Sequence, residues 1–169
     1  MLKKRMSAVL SAIWLVCMVT SCGRHAMPNF ESAVTLAREI YHTAGLDMDG
    51  VYGEVLGERS AYCAGMSEDE FRSLVESAVV YRKMIDSDGQ TLYVFQMKSE
   101  RASADFAKKY YESYEWAACD NAEKLVVACA GSWLICFKSS ADEADAVLQS
   151  FKTLSGGTLF YDKAQINKG

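Results

Sequence analysis

Phe30, Ala33, Val34, Ala37, Ile40 and Tyr41 recur at the three- and four-residue steps of one helical face. Gly45 follows where a helix commonly ends in the left-handed region. Between residues 46 and 65 no period is sustained, and Gly50, Gly53, Gly57 and Gly65 interrupt the run. That stretch reads as an irregular connection. Ser67 and Glu70 then form a capping box, with Met66 placed to pack on Phe71 as a hydrophobic staple. A helix starts there, with Phe71, Leu74, Val75 and Ala78 as its apolar face.

Two β-rich runs follow, Val79 to Ile85 and Thr91 to Met97, separated by the turn-forming cluster Asp86-Ser87-Asp88-Gly89. Ser99 introduces a helix to about Glu115, in which Ala102, Phe106, Tyr110 and Tyr114 stand four residues apart. A second hairpin, Lys124 to Cys129 and Trp133 to Lys138, turns at Gly131-Ser132. The last helix opens at a second capping box, Ser140 to Glu143, and offers Ala144, Val147, Leu148, Phe151 and Leu154 to a core. From Val79 onward the order is therefore strand, strand, helix, twice over. The expected fold is α+β: an antiparallel sheet of about four strands from two ββα units, helices packed on one face, and helices N-terminal to it.

The first residues follow a different logic. Lys3, Lys4 and Arg5 form a basic opening, and no charge then appears until Arg24. The apolar stretch Ala8 to Val19 is shorter than the roughly 20 residues a helix needs to cross a bilayer core. This is the layout of an export signal. It ends in Val19-Thr20-Ser21-Cys22-Gly23, an aliphatic residue and two small ones before a cysteine, which resembles the lipobox of bacterial lipoproteins. Cys22 is the expected lipid attachment residue. Two acyl chains there hold firmly, because each buried methylene adds about 0.8 kcal/mol and one chain alone is marginal. The competing readings are an ordinary secretory signal or an uncleaved anchor. The expected organisation is a signal peptide over 1–21, a lipidated tether over 22–29, one α+β domain over 30–162 and a C-terminal tail over 163–169.

With the lipobox, the hairpins and the pattern Val126-Val127, Gly131, Trp133-Leu134-Ile135 and Phe137 in place, the chain resembles lipoproteins of domain-of-unknown-function family 4358, found mainly in Gram-positive anaerobes. The likeness spans about residues 67–154 plus the signal. It implies export and an α+β fold, and it brings no assigned activity.

Composition narrows the partners. Cutting before Cys22 leaves 148 residues with 15 basic against 22 acidic side chains, a net charge of −7. Such a surface disfavours nucleic acid, whose phosphates need a basic face. It also leaves membrane residence to the lipid on Cys22. Four cysteines remain: Cys63, Cys119, Cys129 and Cys136. None has zinc-site spacing. Cys129 is expected to face Leu134 and Cys136 to face Val127, diagonal neighbours on one sheet face, buried and unbridged. Whether Cys63 and Cys119 form a disulfide stays open.

Candidate chemistry is sparse. His25 falls in the tether and His42 near the end of the first helix, neither in a ligand spacing. Pairing His42 with Cys63, Cys119 or another thiol is the formal nucleophilic option. Asp47, Asp49 and Glu54, with Asp86 and Asp88, suggest calcium, but position six counted from Asp47 is Tyr52 where a calcium loop needs glycine. Tyr110, Tyr111, Tyr114 and Trp116 form the densest aromatic patch, suited either to sugar rings or to covering the sheet. The expectation is an anchored protein at the extracytoplasmic face of the cell membrane, acting without catalysis, cofactor or metal as a binding or accessory module. Its partner would be an envelope protein or a glycan. The alternatives are an envelope enzyme, or its accessory subunit, acting on cell-surface polymers, and a thiol redox protein.

Overall fold

The computed structural model describes residues 30–83 and 89–168. Cys22, His25, Asp86 and Asp88 lie outside them. The fold is α+β, with one six-stranded antiparallel sheet in the order β1-β2-β3-β5-β4-β6. Its strands are β1 (Val51–Val55), β2 (Val75–Lys83), β3 (Thr91–Met97), β4 (Lys124–Ala130), β5 (Trp133–Ser139) and β6 (Tyr161–Ile166). The helices are α1 (Ala33–Ala44), α2 (Glu68–Leu74), α3 (Glu100–Ser113) and α4 (Ala141–Leu154), with a 3-10 helix over Glu58–Ala64.

The two hairpins form the middle of this sheet, and β1 and β6 extend it beyond the four expected strands. β1 sits in the stretch expected to be irregular. Its five residues give too short a run to show a period, and all but Val51 are exposed. Gly53 is needed where it stands: a Cβ there would come within 2.7 Å of the Tyr81 ring, which lies over the bare backbone. At the other edge, residues 163–166, expected as tail, belong to β6 and pair with Lys124 to Val127.

Helices cover both faces of the sheet, not one. Val126, Ala128 and Ala130 of β4, with Ile135 and Phe137 of β5, pack against Leu36, Ile40 and Tyr41 of α1 and Val147 and Phe151 of α4. Leu125, Val127, Cys129, Leu134 and Cys136 point the other way, toward Phe106 and Ala107 of α3 and Phe71 of α2. Six consecutive residues of β4, Leu125 to Ala130, are buried, so this strand has no solvent side. Uninterrupted apolar runs of this kind mark strands covered on both faces.

One helix boundary and one helix cap differ from the expected ones. The Ser67 capping box forms as expected, but α2 ends at Leu74, and Val75 and Ala78 belong to β2. Val75 pairs with Met97 and Ala78 with Phe95, so sheet pairing overrides the helical spacing. At α4 only half of the box closes. The Ser140 hydroxyl accepts the Glu143 amide at 3.5 Å, while the Glu143 carboxylate accepts hydrogen bonds from the Ser139 hydroxyl and the Gln90 side-chain amide.

Ser67→Ala should therefore lower stability by about 0.5 to 2 kcal/mol, as expected for loss of an N-cap acceptor, and Ser140→Ala by an amount nearer the lower end. Urea midpoints of the two variants test this; an equal or larger loss at Ser140 would contradict the half-closed cap.

Candidate functional site

The spacing of α3 turns Phe106, Tyr110 and Tyr114 toward the sheet, where they continue a line of rings begun by β3. Tyr93 stacks on Phe95 at 6.1 Å, Phe95 meets Phe106 edge-on at 5.9 Å, and Phe106 lies 6.0 Å from Tyr110. Tyr110 is 5.8 Å from Tyr114, whose ring meets Trp116 edge-on at 5.2 Å. These separations suit aromatic pairs. Tyr111 leaves the line and packs on Tyr161, its hydroxyl donating to the Ala164 carbonyl at 2.9 Å. The aromatic patch seen in the sequence thus joins α3 to the sheet and to its β6 edge. Beside it, Tyr110 and Tyr114 line a groove of 170 Å³ with Lys109, Ser113 and Glu115.

Where the ring line reaches the sheet end, a larger cleft of 390 Å³ opens. Arg82, Thr91 and Lys138 line its floor, and Cys119, Asp120 and Asn121 its opposite wall. The floor is fixed by register, since Arg82 pairs with Thr91 and Thr91 with Lys138. Directly opposed residues of paired strands point to the same face, so these three side chains form one row across β2, β3 and β5. Tyr52 of β1 pairs with Arg82 and extends the row by one aromatic ring, 59% exposed.

A polar network ties this row to the ring line. The Tyr114 hydroxyl donates to Asp120 Oδ2 at 3.1 Å, and the Lys138 ammonium donates to the same oxygen. Only 5% of the Asp120 side chain is exposed, so the two donors satisfy a carboxylate that burial alone would penalise. The amide of Ala122 donates to Asp120 Oδ1 at 3.3 Å. Arg82 Nη2 donates to the Tyr93 hydroxyl at 3.3 Å, and its guanidinium carbon lies 6.0 Å from the centre of that ring. Gly89 holds φ +63°, and a Cβ there would come to 3.2 Å from both the Ala122 nitrogen and Asp120 Oδ1. The wall is pinned from the C-terminal side: the Asn167 amide donates to the carbonyls of Asp120 and Ala122 at 3.1 and 3.0 Å. Burial, then the neighbouring Asp120 charge, pushes the Tyr114 hydroxyl well above its ordinary range, so it remains a proton donor at neutral pH.

The other sequence candidates are not brought together. Cys129 and Cys136 are buried with free thiols and paired as expected, opposite Leu134 and Val127. They face α3, whereas His42 is exposed on α1, across the sheet. Cys119 is an exposed free thiol, and the side chain of Cys63, its candidate disulfide partner, lies outside the described ones. Asp47 accepts the Asp49 amide at 2.9 Å in an exposed turn. Among the described residues no cluster of three or more histidine, cysteine or acidic side chains could hold a metal ion. Nor is any helix among them long and apolar enough to cross a membrane.

Arg82, Asp120, Lys138 and Asn167 were not singled out in the sequence. The available signal was small: Arg82 and Lys138 are cations closing apolar strands. Only the non-local pairing of β3 with β5 sets them in one row.

No family model, curated protein or solved structure matches the chain.

Alkylation of the folded protein should modify Cys119 quickly and leave Cys129 and Cys136 protected until unfolding; rapid labelling of either buried thiol would contradict their packing. A pH dependence follows from the same burial. It raises Cys136 above its usual 9.0, and Tyr110 and Tyr114 above 10.0. These groups stay neutral in the native chain and ionise more readily in the unfolded one. Their contribution to stability is thus complete below the unfolded values and declines as pH rises beyond about 9. Urea midpoints should fall between pH 8.5 and pH 10.5 (roughly that window, set by the unfolded values), and a flat profile would contradict this.

Proposed function

We propose that the chain is an exported lipoprotein, acylated at Cys22, whose domain binds a partner at the cell surface without catalysis. The observation that carries the anchoring is the run Val19-Thr20-Ser21-Cys22 behind a basic opening and a short apolar stretch. The resemblance to domain-of-unknown-function family 4358 rests on the same residues and on the second hairpin. The binding half draws on the 390 Å³ cleft, whose floor side chains are held by strand register and hydrogen bonds before any ligand arrives. Preorganisation of this kind lowers the entropy cost of binding. Catalysis by a Cys-His pair would need groups within about 3.2 Å of each other. Cys129 and Cys136 lie across the sheet from His42.

The position of the tether supports the reading. Phe30 meets Trp133 edge-on at 6.1 Å, at the start of β5, whereas Lys138 stands at the far end of that strand. Five residues of strand separate them, roughly 17 Å at about 3.3 Å per residue. Residues 22–29 reach at most roughly 28 Å when extended. A chain held through Cys22 would thus keep Phe30 within that reach of the bilayer, with the cleft at the other end of β5.

Mass spectrometry of protein from native membranes should find acyl chains on an N-terminal Cys22, and Cys22→Ala should abolish that mass. A wild-type protein beginning at another residue, or unmodified at Cys22, would overturn the anchoring. Crosslinking in intact cells should capture a partner whose contacts map to the cleft wall; capture only through the α1–α4 face would refute the assigned surface.

A further inference from the structure

The two edges of the sheet are finished differently. At β6 the Asn167 amide donates to the Glu123 carbonyl at 2.8 Å. Hydrogen-bonded pairs alternate along an antiparallel ladder, so Lys163 and Gln165 face β4 while Ala164 turns its backbone outward. The Tyr111 hydroxyl closes that outward carbonyl at 2.9 Å, and the exposed Asp162 and Lys163 place charges beside it. At β1 the Leu56 amide donates to the Ala78 carbonyl at 3.0 Å, in the register that pairs Val55 with Val79. Tyr52 and Glu54 therefore face β2, and Val51, Gly53 and Val55 turn their backbone groups outward. The Val51 amide is taken by the Met48 carbonyl at 3.0 Å. The Val51 carbonyl, with the amides and carbonyls of Gly53 and Val55, finds no hydrogen-bond partner among the described residues.

We infer that the β1 edge takes an extended, basic segment of a partner polypeptide as a seventh strand, antiparallel to β1. The inference goes beyond the cleft and depends on neither the cleft nor the lipid. Strand addition draws affinity from main-chain hydrogen bonds and specificity from alternate side chains. Here an added strand would engage every one of the open groups of Val51, Gly53 and Val55. Its residues opposite those three would lie on the α1 side, against Val55, which is 70% exposed. At Gly53 no side chain of β1 would separate them from the Tyr81 ring. Its other residues would lie across from Tyr52 and Glu54, both exposed. Glu54 forms no ion pair among the described residues, so a lysine or arginine across from it is the complementary choice. The same carboxylate discourages indiscriminate pairing along this edge. Two copies of the chain paired about Gly53 would set their Glu54 side chains diagonally across from each other, in a protein of negative net charge.

The test uses the processed full-length chain in detergent, titrated with a capped synthetic peptide of alternating valine and lysine and followed by calorimetry and amide hydrogen exchange. The peptide should bind saturably and slow exchange at the Gly53 and Val55 amides. Methylating the valine amide nitrogens, which would face β1, should abolish binding, whereas methylating those of the lysines should preserve it. A peptide with glutamate in place of lysine should bind severalfold more weakly, and Glu54→Lys should reverse that preference. Val55→Pro removes one outward donor without touching the bonds to β2, and should weaken binding about ten-fold. The charge reversal at Glu54 keeps the test decisive even where proline disturbs β1. No saturable binding of the lysine peptide, indifference to which amides are methylated, or a preference untouched by Glu54→Lys would overturn the inference. So would a dimer of the chain that Val55→Pro dissolves, which would assign this edge to a second copy.

Discussion

The central strands have no face to give to water. β3, β4 and β5 bury nearly every residue, alternate side chains entering two different cores. A strand pair with one polar side can rest on a single layer of helices, but these need apolar cover on both sides. The placement of the rest follows. α1 and α4 close one side, and α3 with α2 and the 3-10 helix closes the other. The hydrophobic contribution, about 25 cal/mol per Å² of apolar surface removed from water, is collected twice per strand. The outer strands are spared this demand. β1 and β6 are largely exposed, and Glu54, Asp162 and Lys163 place charges on edges that would otherwise invite pairing with other chains.

That constraint also marks the border between the legible and the hidden in the sequence. Local signals were sufficient for α1, for both hairpins and for the start of α2. Gly45 adopts φ +68°, Ser67 and Glu70 bond reciprocally, and Ala130 pairs with Trp133 around Gly131-Ser132. The relative position of the thiols followed from that turn alone. What failed was non-local. A run such as Leu125 to Ala130 has apolar residues at odd and even positions alike, and this was the one available sign that helices lie on both faces. β1 is too short and too exposed for a pattern to emerge. β6 owes its place to pairing with β4, more than 30 residues away in sequence, Cys129 opposite Tyr161 and Lys124 opposite Ile166. The half-open cap at Ser140 had the same origin, because Glu143 turns to Ser139 and to Gln90 from the other hairpin.

The candidate site was hidden for a related reason. Its side chains come from β2, β3, β5 and the segment before β4, and their adjacency exists only once β3 has paired with β5. The aromatic residues of α3 were conspicuous in the sequence, yet most of their ring surface is spent on the core. Their contribution to the cleft is indirect. Tyr114 ends the run along α3 and fixes Asp120 through its hydroxyl, so packing on α3 is converted into the position of a carboxylate at the sheet end.

The cleft lies where two requirements of the fold stop coinciding. Strands β2, β3 and β5 continue to Arg82, Thr91 and Lys138, while α3 ends at Ser113, so the last cross-strand row extends past its helical cover. Apolar side chains there would remain wet, and the row accordingly changes to cations and a hydroxyl at the positions where Tyr93 and Cys136, one step inward on the same face, are buried. A loop must still close the gap between α3 and β4. Asp120 and Asn167 hold that loop by polar contacts beside the packing of Trp116 on Tyr114, the carboxylate receiving Lys138 and Tyr114, and the amide holding the carbonyls of residues 120 and 122. These polar groups are satisfied within the protein itself. The change from apolar to charged side chains at this end thus arises from the way the sheet outruns its cover.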